Sequence, residues 1–543
     1  MLLRFTLLLC VALAVAVPTP SKKGDKDDKS GLTTSSEVSQ SGITQGGGVV
    51  SSKGSSKGST KSSSSFKAPD VKIKRNLRAS SGVSGSGASS GDSAFGQKAG
   101  SKSVVSIDKD EIIVRTGTKG KGFSTGDAGA IQSAGATAGG KQSTIIKLPG
   151  GKKLPTIIDS SKGAAKSSSG HDASTAGEGT FKTINIGGTE VRLDDLSPDL
   201  DIEVKSKQGQ AGRTTRGGNV NSHGSTQGSA DSKSGFKAGK KVTNRNNAAV
   251  NAGAAAQAAS TDNGAFRQNA KSFSGAKTDK DGISVRTGNI GEGNTRGHSG
   301  VQQKTGANAG ANKKQAIIIT LPDGKKTVRI VDSGKGSAQS SSGQEASSTG
   351  KGSFRALNVG GTDVKLNGVK PGIDLSIESR QKQAGVTSKG GAVSSQGKSR
   401  GAGSDRFKLK AVDLKLTEKG AGNAGTSAQA HSAGNGAFKQ DAKAKTDIKS
   451  NKDGLTVATE TGGRGKTAGD TQIAQGTAAN GKADQKKDSR QKYPVKSKHS
   501  EQGSASSSSG HDASSSDHGS FQTKNKGKTT IKSGDVKVSP KKG

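Results

Sequence analysis

The chain has no tryptophan, one tyrosine and one cysteine among its 543 residues. Aromatics make up only 2%, so the large rings that dominate most cores are missing. Leu, Ile, Val and Phe together number 87, or 16%. That is below the roughly 20% under which a highly charged chain is expected to stay unfolded. Cys10 and Met1 both lie in the first sixteen residues and are lost if that segment is removed. Thiol catalysis, cysteine-ligated metal and a disulfide framework are then excluded. N-x-[ST] does not occur, so N-glycosylation is not expected. These absences argue against a large globular enzyme and against a multi-pass membrane protein.

Glycine and basic charge are abundant. Gly accounts for 83 residues, and Lys+Arg minus Asp+Glu is 84 − 44 = +40. Such a chain is strongly hydrated and adheres to polyanions. At the N-terminus, Arg4 precedes the apolar run Phe5 to Val15, and Ala14-Val15-Ala16 is an A-x-A-like cleavage site. This is the pattern of a secretory signal peptide (1–16) cut after Ala16. The run is shorter than the ~20 apolar residues needed to span a bilayer. The expected product is secreted and extracellular, with no membrane span.

Three long internal repeats organise the rest. Phe95, Phe266 and Phe438 are 171 and 172 residues apart, in AFGQ, AFRQ and AFKQ; Val114, Val285 and Val457 each follow nineteen residues later. SSSGHDAS around His171 recurs as SSSGQEAS around Gln344 and SSSGHDAS around His511. The reading is a basic lead segment (17–39) followed by repeat 1 (40–209), repeat 2 (210–382) and a degenerate, truncated repeat 3 (383–543). The period is far longer than the 20–50 residues of solenoids and propellers. Loosely ordered beads would tolerate the drift in content between units.

Short β signals punctuate each unit. Ile145–Ile158 and Ala316–Val331 read as strand pairs about Pro149-Gly150-Gly151 and Pro322-Asp323-Gly324. Thr183–Leu193 and Ala356–Leu366 alternate apolar and polar residues, and Asp201–Val204 and Asp374–Ile377 could add a third strand. Lone hairpins are marginal in water, and ordering such a patch costs about as much as its burial returns. Ser/Gly/Lys tracts such as Ser51–Ser65 and Ser504–Ser516 read as flexible coil. The Ala-rich Asn246–Ser260 allows a short helix. The expected fold class is a mostly disordered low-complexity chain with marginal β-hairpins and no large core.

Signals for site chemistry are sparse. His171-Asp172 and His511-Asp512 have Gln344-Glu345 in the middle unit and no nucleophile or ligand cluster nearby, which favours solvated loop residues. No phosphate loop is present, and no catalytic, cofactor or metal site is implied. Nucleic-acid binders interleave basic residues with aromatic platforms, which this chain lacks. Lys72-Ile73-Lys74-Arg75 admits processing after Arg75.

Glutamine beside lysine is the strongest signal. Gln97, Gln268 and Gln440 each follow a phenylalanine by two residues, and Gln208 and Gln210 in KQGQAG match Gln381 and Gln383 in RQKQAG. Lys98, Lys207, Lys271, Lys382, Lys439 and Lys443 lie close by. A transglutaminase joins an accessible glutamine, as acyl donor, to a lysine amine through a cysteine acyl-enzyme. These seven glutamines are the candidate donors and these six lysines the candidate acceptors.

The signal peptide, the Ser/Gly/Lys tracts and the Gln/Lys-bearing repeats resemble the secreted repetitive matrix proteins of arthropods: silk gums, glues and fondue-like haemolymph clot proteins. That resemblance implies a non-enzymatic transglutaminase substrate, cross-linked to itself and to other matrix proteins in a clot, glue or matrix. A polycation coating acidic polysaccharide, microbial surface or mineral is the alternative. A third reading is a precursor cut into peptides at basic sites.

Overall fold

The computed structural model describes residues 30–534 apart from 46–47, 68–70, 109–110, 148–155, 195–198, 239–241, 280–281, 321–326, 368–371, 412–413, 452–453, 491–495 and 517–518. The signal-peptide segment, Tyr493 and the two Pro-Gly loops therefore lie outside the described residues. Those described form nineteen strands of one antiparallel sheet, with no helix among them.

The strands assemble into twelve crossing segments, called rungs below, each about 38 residues long. Five are unbroken strands; fourteen shorter strands pair end to end into the other seven. Rungs 1–4 are β1 (Ser30–Thr44) with β2 (Val49–Lys67), β3 (Val71–Ile107), β4 (Glu111–Lys147), and β5 (Thr156–Thr175) with β6 (Thr180–Asp194). Rungs 5–8 are β7 (Leu200–Thr215) with β8 (Gly218–Ala238), β9 (Val242–Thr261) with β10 (Ala265–Asp279), β11 (Gly282–Arg296) with β12 (Ser299–Thr320), and β13 (Thr327–Ser348) with β14 (Ser353–Asn367). Rungs 9–12 are β15 (Ile373–Lys410), β16 (Leu414–Asn451), β17 (Gly454–Arg490), and β18 (Lys496–Ser515) with β19 (Ser520–Gly534). Each rung pairs with the next in an up-and-down meander.

Every rung bends near its middle, so the meander folds over along a crease into two face-to-face layers. A short layer holds half-strands of about fifteen residues, such as β6 and β10. A long layer holds halves of about twenty, such as β5 and β9. Bonds across the gap fix the stacking: Ser206 Oγ donates to Ala252 O at 2.9 Å, and Thr446 Oγ1 to Asn423 O at 2.7 Å. The bend uses left-handed backbone. Gly126 has φ +74 and a Cβ there would lie 2.6 Å from Asp92 O; Gly469 has φ +70 with Asn435 O at 1.9 Å. Only glycine fits such positions without strain.

Period-two alternation decides which side chains enter the gap. In β7, Leu200, Ile202, Val204, Ser206, Gln208 and Gln210 point inward, while Asp201, Glu203 and Lys205 face out or lie partly exposed. The interior has three stripes crossing the rungs. Farthest from the crease, short-layer aliphatics such as Val114, Val191, Leu193, Ile202 and Ile377 are fully buried. They pack on glycine and alanine of the long layer: a Cβ on Gly163 would meet Leu193 at 2.9 Å, and one on Gly401 would meet Ile377 at 2.6 Å. The middle stripe is polar. Nearest the crease, Phe181, Phe266, Phe354 and Phe438 form a second apolar cluster.

The expectation of a mostly disordered chain is therefore corrected. Leu, Ile and Val are few, but many of them, such as Val114, Leu193, Ile202, Val285 and Ile377, fall at matching depths of successive rungs and pool into one buried stripe. The opposing layer is lean enough to reach them. Backbone groups are satisfied by the ladders, so thin side chains suffice to hold a layer. Ser51–Ser65 is not coil but lies in β2, Ser504–Ser516 lies in β18 up to Ser515, and Asn246–Ser260 is not helix but most of β9. The strands expected at Ile145–Ile158 and Ala316–Val331 do pair (Ile145 opposite Ile158, Ile317 opposite Ile330), as parts of long strands rather than marginal hairpins.

The 171-residue period is four rungs. β3 is followed at that interval by β9 with β10, and then by β16. Repeats are joined by continuous pairing, β5 to β8 and β6 to β7 at one boundary and β13 and β14 to β15 at the next. They are segments of one sandwich rather than beads.

Candidate functional site: a buried glutamine band and a lysine-clad exterior

All seven glutamines singled out as acyl donors are interior. Gln97, Gln268 and Gln440 are 5%, 1% and 1% exposed, and Gln208, Gln210, Gln381 and Gln383 are between 0% and 3%. The folded chain does not offer them to an enzyme, and this corrects the premise that they are accessible. The cause is strand geometry: a residue two places from a buried phenylalanine shares its face. The Phe-x-Gln spacing already carried that signal, and reading the segment as coil concealed it.

The buried carboxamides bond to one another in the same way in each repeat. Gln97 Nε2 donates to Gln40 Oε1, Gln268 Nε2 to Gln210 Oε1 and Gln440 Nε2 to Gln383 Oε1, each at 2.5 Å. Gln210 and Gln383 in turn donate to Ala256 O and Ala428 O across the gap, both at 3.1 Å. Gln208 Nε2 donates to Asn185 Oδ1 at 2.6 Å, and Asn185 Nδ2 reaches Gly170 O at 3.0 Å and His223 O at 2.7 Å. The equivalent Gln381 donates to Asn358, and Asn358 to Gly343 O and Gln396 O. A one-residue slip would turn every one of these amides outward, so the band specifies register.

His171 is an interior strand residue, 1% exposed, and not a solvated loop residue. Burial, with His223 pushing the same way, lowers its pKa to about 4. His511, in β18 at the open end, is lowered by burial against the upward pull of Asp512. Asp172 and Asp512 point to the opposite, exposed face, so neither His-Asp pair works as a unit. In the long layer, Asp332 and Asp405 lie on neighbouring strands near Lys313 and Glu418, all buried. Burial and the facing Asp332 raise Asp405 to about 7, and burial raises Asp332 and Glu418 as well. Arg75, the processing candidate, is 4% exposed within β3, so a protease needs the fold opened there. Among the described residues, no group of three or more His, Cys, Asp or Glu side chains is placed to hold a metal ion. Among the described residues no helix is long and apolar enough to cross a membrane.

Lysines occupy the outer faces. Lys98, Lys207, Lys271, Lys382 and Lys439 are exposed; Lys443 is partly covered, with Nζ 3.5 Å from Glu378. Lys98 pairs with Glu37 in an exposed ion pair, of the kind worth at most about 1 kcal/mol. Exposed glutamines exist too, among them Gln227, Gln257, Gln339, Gln396, Gln429, Gln472, Gln502 and Gln522. These carry no Phe-x-Gln signature. Gln502 and Gln522 stand on rung 12, the last of the sandwich. A groove of about 920 Å³ also crosses the outer face of the long layer, with Asn247, Asn312, Asn423, Asn480, Arg400 and Lys482 along it.

No family model, curated protein or solved structure matches this chain.

Proposed function

We propose that the protein is a secreted, non-enzymatic structural component that builds an extracellular network such as a clot, glue or matrix. The observation behind this reading is a repetitive sandwich that keeps the seven candidate glutamines inside and presents amines over its outer faces. In a transglutaminase network its part is then chiefly that of amine donor. Any acyl donors are then exposed glutamines, among them Gln502 and Gln522 of the open edge, and not the seven interior ones.

Two probes test this with transglutaminase and calcium. A glutamine-bearing peptide should label Lys98, Lys207, Lys271, Lys382 and Lys439 on the native protein. Dansylcadaverine, which reports glutamine, should reach Gln97, Gln268 and Gln440 only in urea. Peptide mapping by mass spectrometry reads both, and native labelling of the interior glutamines at the urea rate would refute the assignment.

The groove supports a second reading, a coat on acidic polysaccharide, because amides and cations line an extended trough. If the protein stays monomeric with transglutaminase but is held on heparin until salt elutes it, this second reading replaces the first.

A further inference from the structure

The sandwich is open at both ends, and its own repeats show what fits there. Rung 12 is the counterpart of rungs 4 and 8, and rung 1 is the counterpart of rungs 5 and 9. Among the described residues nothing pairs with the outer edge of β1, β2, β18 or β19. The interior is correspondingly incomplete. Phe521 is partly exposed where Phe181 and Phe354 are 2% exposed, and Leu32, Val38 and Ile531 pack on the core only from one side. Asn185 and Asn358 each donate back into their own repeat and forward into the next. Asn525, their equivalent, is exposed and donates only backward, to Gly510 O.

From this we propose that chains join head to tail, rung 12 of one copy pairing with rung 1 of a second copy in the register of the internal repeat boundaries. The inference rests on the network reading and supplies a non-covalent joint for it. The register follows from the template. Phe181 stands opposite Thr214 and Asn185 opposite Gln210, as Phe354 does to Thr387 and Asn358 to Gln383. Carried to the ends, Phe521 meets Thr44 of the next copy, Asn525 meets Gln40 and Lys528 meets Glu37. In the long layer Ala513 meets Val50, as Ala173 meets Val220. Each internal boundary of this kind forms ladders over 15 and 20 residues in the two layers. A head-to-tail contact that does not close on itself propagates as a filament.

Charge tunes the joint. Rung 1 (30–67) has four lysines and one glutamate, 4 − 1 = +3, and rung 12 (496–534) has six lysines and three acids, 6 − 3 = +3. Like-charged rungs do pair inside the chain: rung 8 (327–367) is 5 − 3 = +2 and rung 9 (373–410) is 8 − 3 = +5. Between separate chains the repulsion is not offset by a tether, and edge lysines are a known guard against strand addition. Joining therefore strengthens as salt screens the ends.

Cysteine trapping tests the joint. Directly opposed residues lie about 5 Å apart, within disulfide reach, while a four-residue offset adds roughly 13 Å. The full chain carries Cys10→Ser throughout. Under mild oxidation, Glu37→Cys with Lys528→Cys should give a non-reducing ladder that lengthens with salt. Mixing the two single variants should stop at a dimer, and Glu37→Cys with Lys532→Cys should trap at least tenfold less. Persistent monomer at every salt concentration, or single variants that dimerise with themselves as readily as with each other, would overturn the inference. Monomer in this test alongside isopeptide ladders with transglutaminase removes the head-to-tail joint and leaves the network reading standing.

Discussion

Gly401→Ala should destabilise the protein by about 1–3 kcal/mol, the usual cost of a methyl forced into a filled core. The added carbon would lie 2.6 Å from the Ile377 side chain, 2.7 Å from Thr362 and 3.0 Å from Val364. Those atoms belong to the opposite layer and to residues that are themselves fully or almost fully buried, so relief requires the layers to part locally. Gly135→Ala is the matched control. It lies in the same layer on an outward-facing position, with nothing within 4 Å of the new carbon. There the substitution should be neutral or stabilising by roughly 0.5–1 kcal/mol, since glycine in a strand costs conformational entropy. Urea midpoints of the two variants against the parent decide it. Equal effects would mean that the layers do not touch at Gly401, and with that the packing of glycine against aliphatic side chains would fail.

Acid should separate His171→Gln from the parent. The unfolded chain protonates this histidine near 6.5, while the folded one resists until about 4. Its contribution is complete above pH 6.5 and is lost as pH falls to 4, a difference worth about 3 kcal/mol. Asp405 works in the opposite sense. With its pKa raised from 3.8 to about 7, its contribution is complete below pH 3.8 and is lost as pH rises towards 7, by about 4 kcal/mol. His511 acts in the same direction as His171, and Asp332, Glu418 and Asp201 act with Asp405. Over the shared range the slopes oppose, so in the parent each group offsets part of the other's pH dependence. Glutamine at 171 removes one side. It is a fitting replacement because the middle repeat carries Gln344 there, bonded to Gln303, whereas His171 faces Gln132 with neither ring nitrogen bonded. The variant should therefore gain stability on acidification, and Asp405→Asn should lose it. Parallel pH profiles for His171→Gln and the parent would show that the ring is not buried.

Individual strands were largely legible because their signals are local. Thr183–Leu193 and Ala356–Leu366 alternate as strands do and lie in β6 and β14, Asp201–Val204 lies in β7, and the described parts of Ile145–Ile158 and Ala316–Val331 lie in strands too. Illegible were the serine and alanine tracts between them. Ser51–Ser65 or Asn246–Ser260 has no periodic contrast of hydrophobic and polar residues, so nothing local separates strand from coil. Their conformation is imposed by neighbours: β9 is held between β8 and β12 and under β7 and β10. The glutamines were misplaced for the same reason. An inward face exists only where there is an opposing layer.

By itself the sequence determined the 171-residue period, the surplus of positive charge, the lack of cysteine chemistry beyond residue 10 and the places where aliphatic residues concentrate. These follow from counting and spacing alone. Only the tertiary structure decided that four rungs make one period, that glycine-rich tracts back the aliphatic stripe, and that the seven candidate glutamines face in while the lysines beside them face out. Each of these depends on which segment lies opposite which across the crease, a relation between residues tens of positions apart that no local pattern encodes.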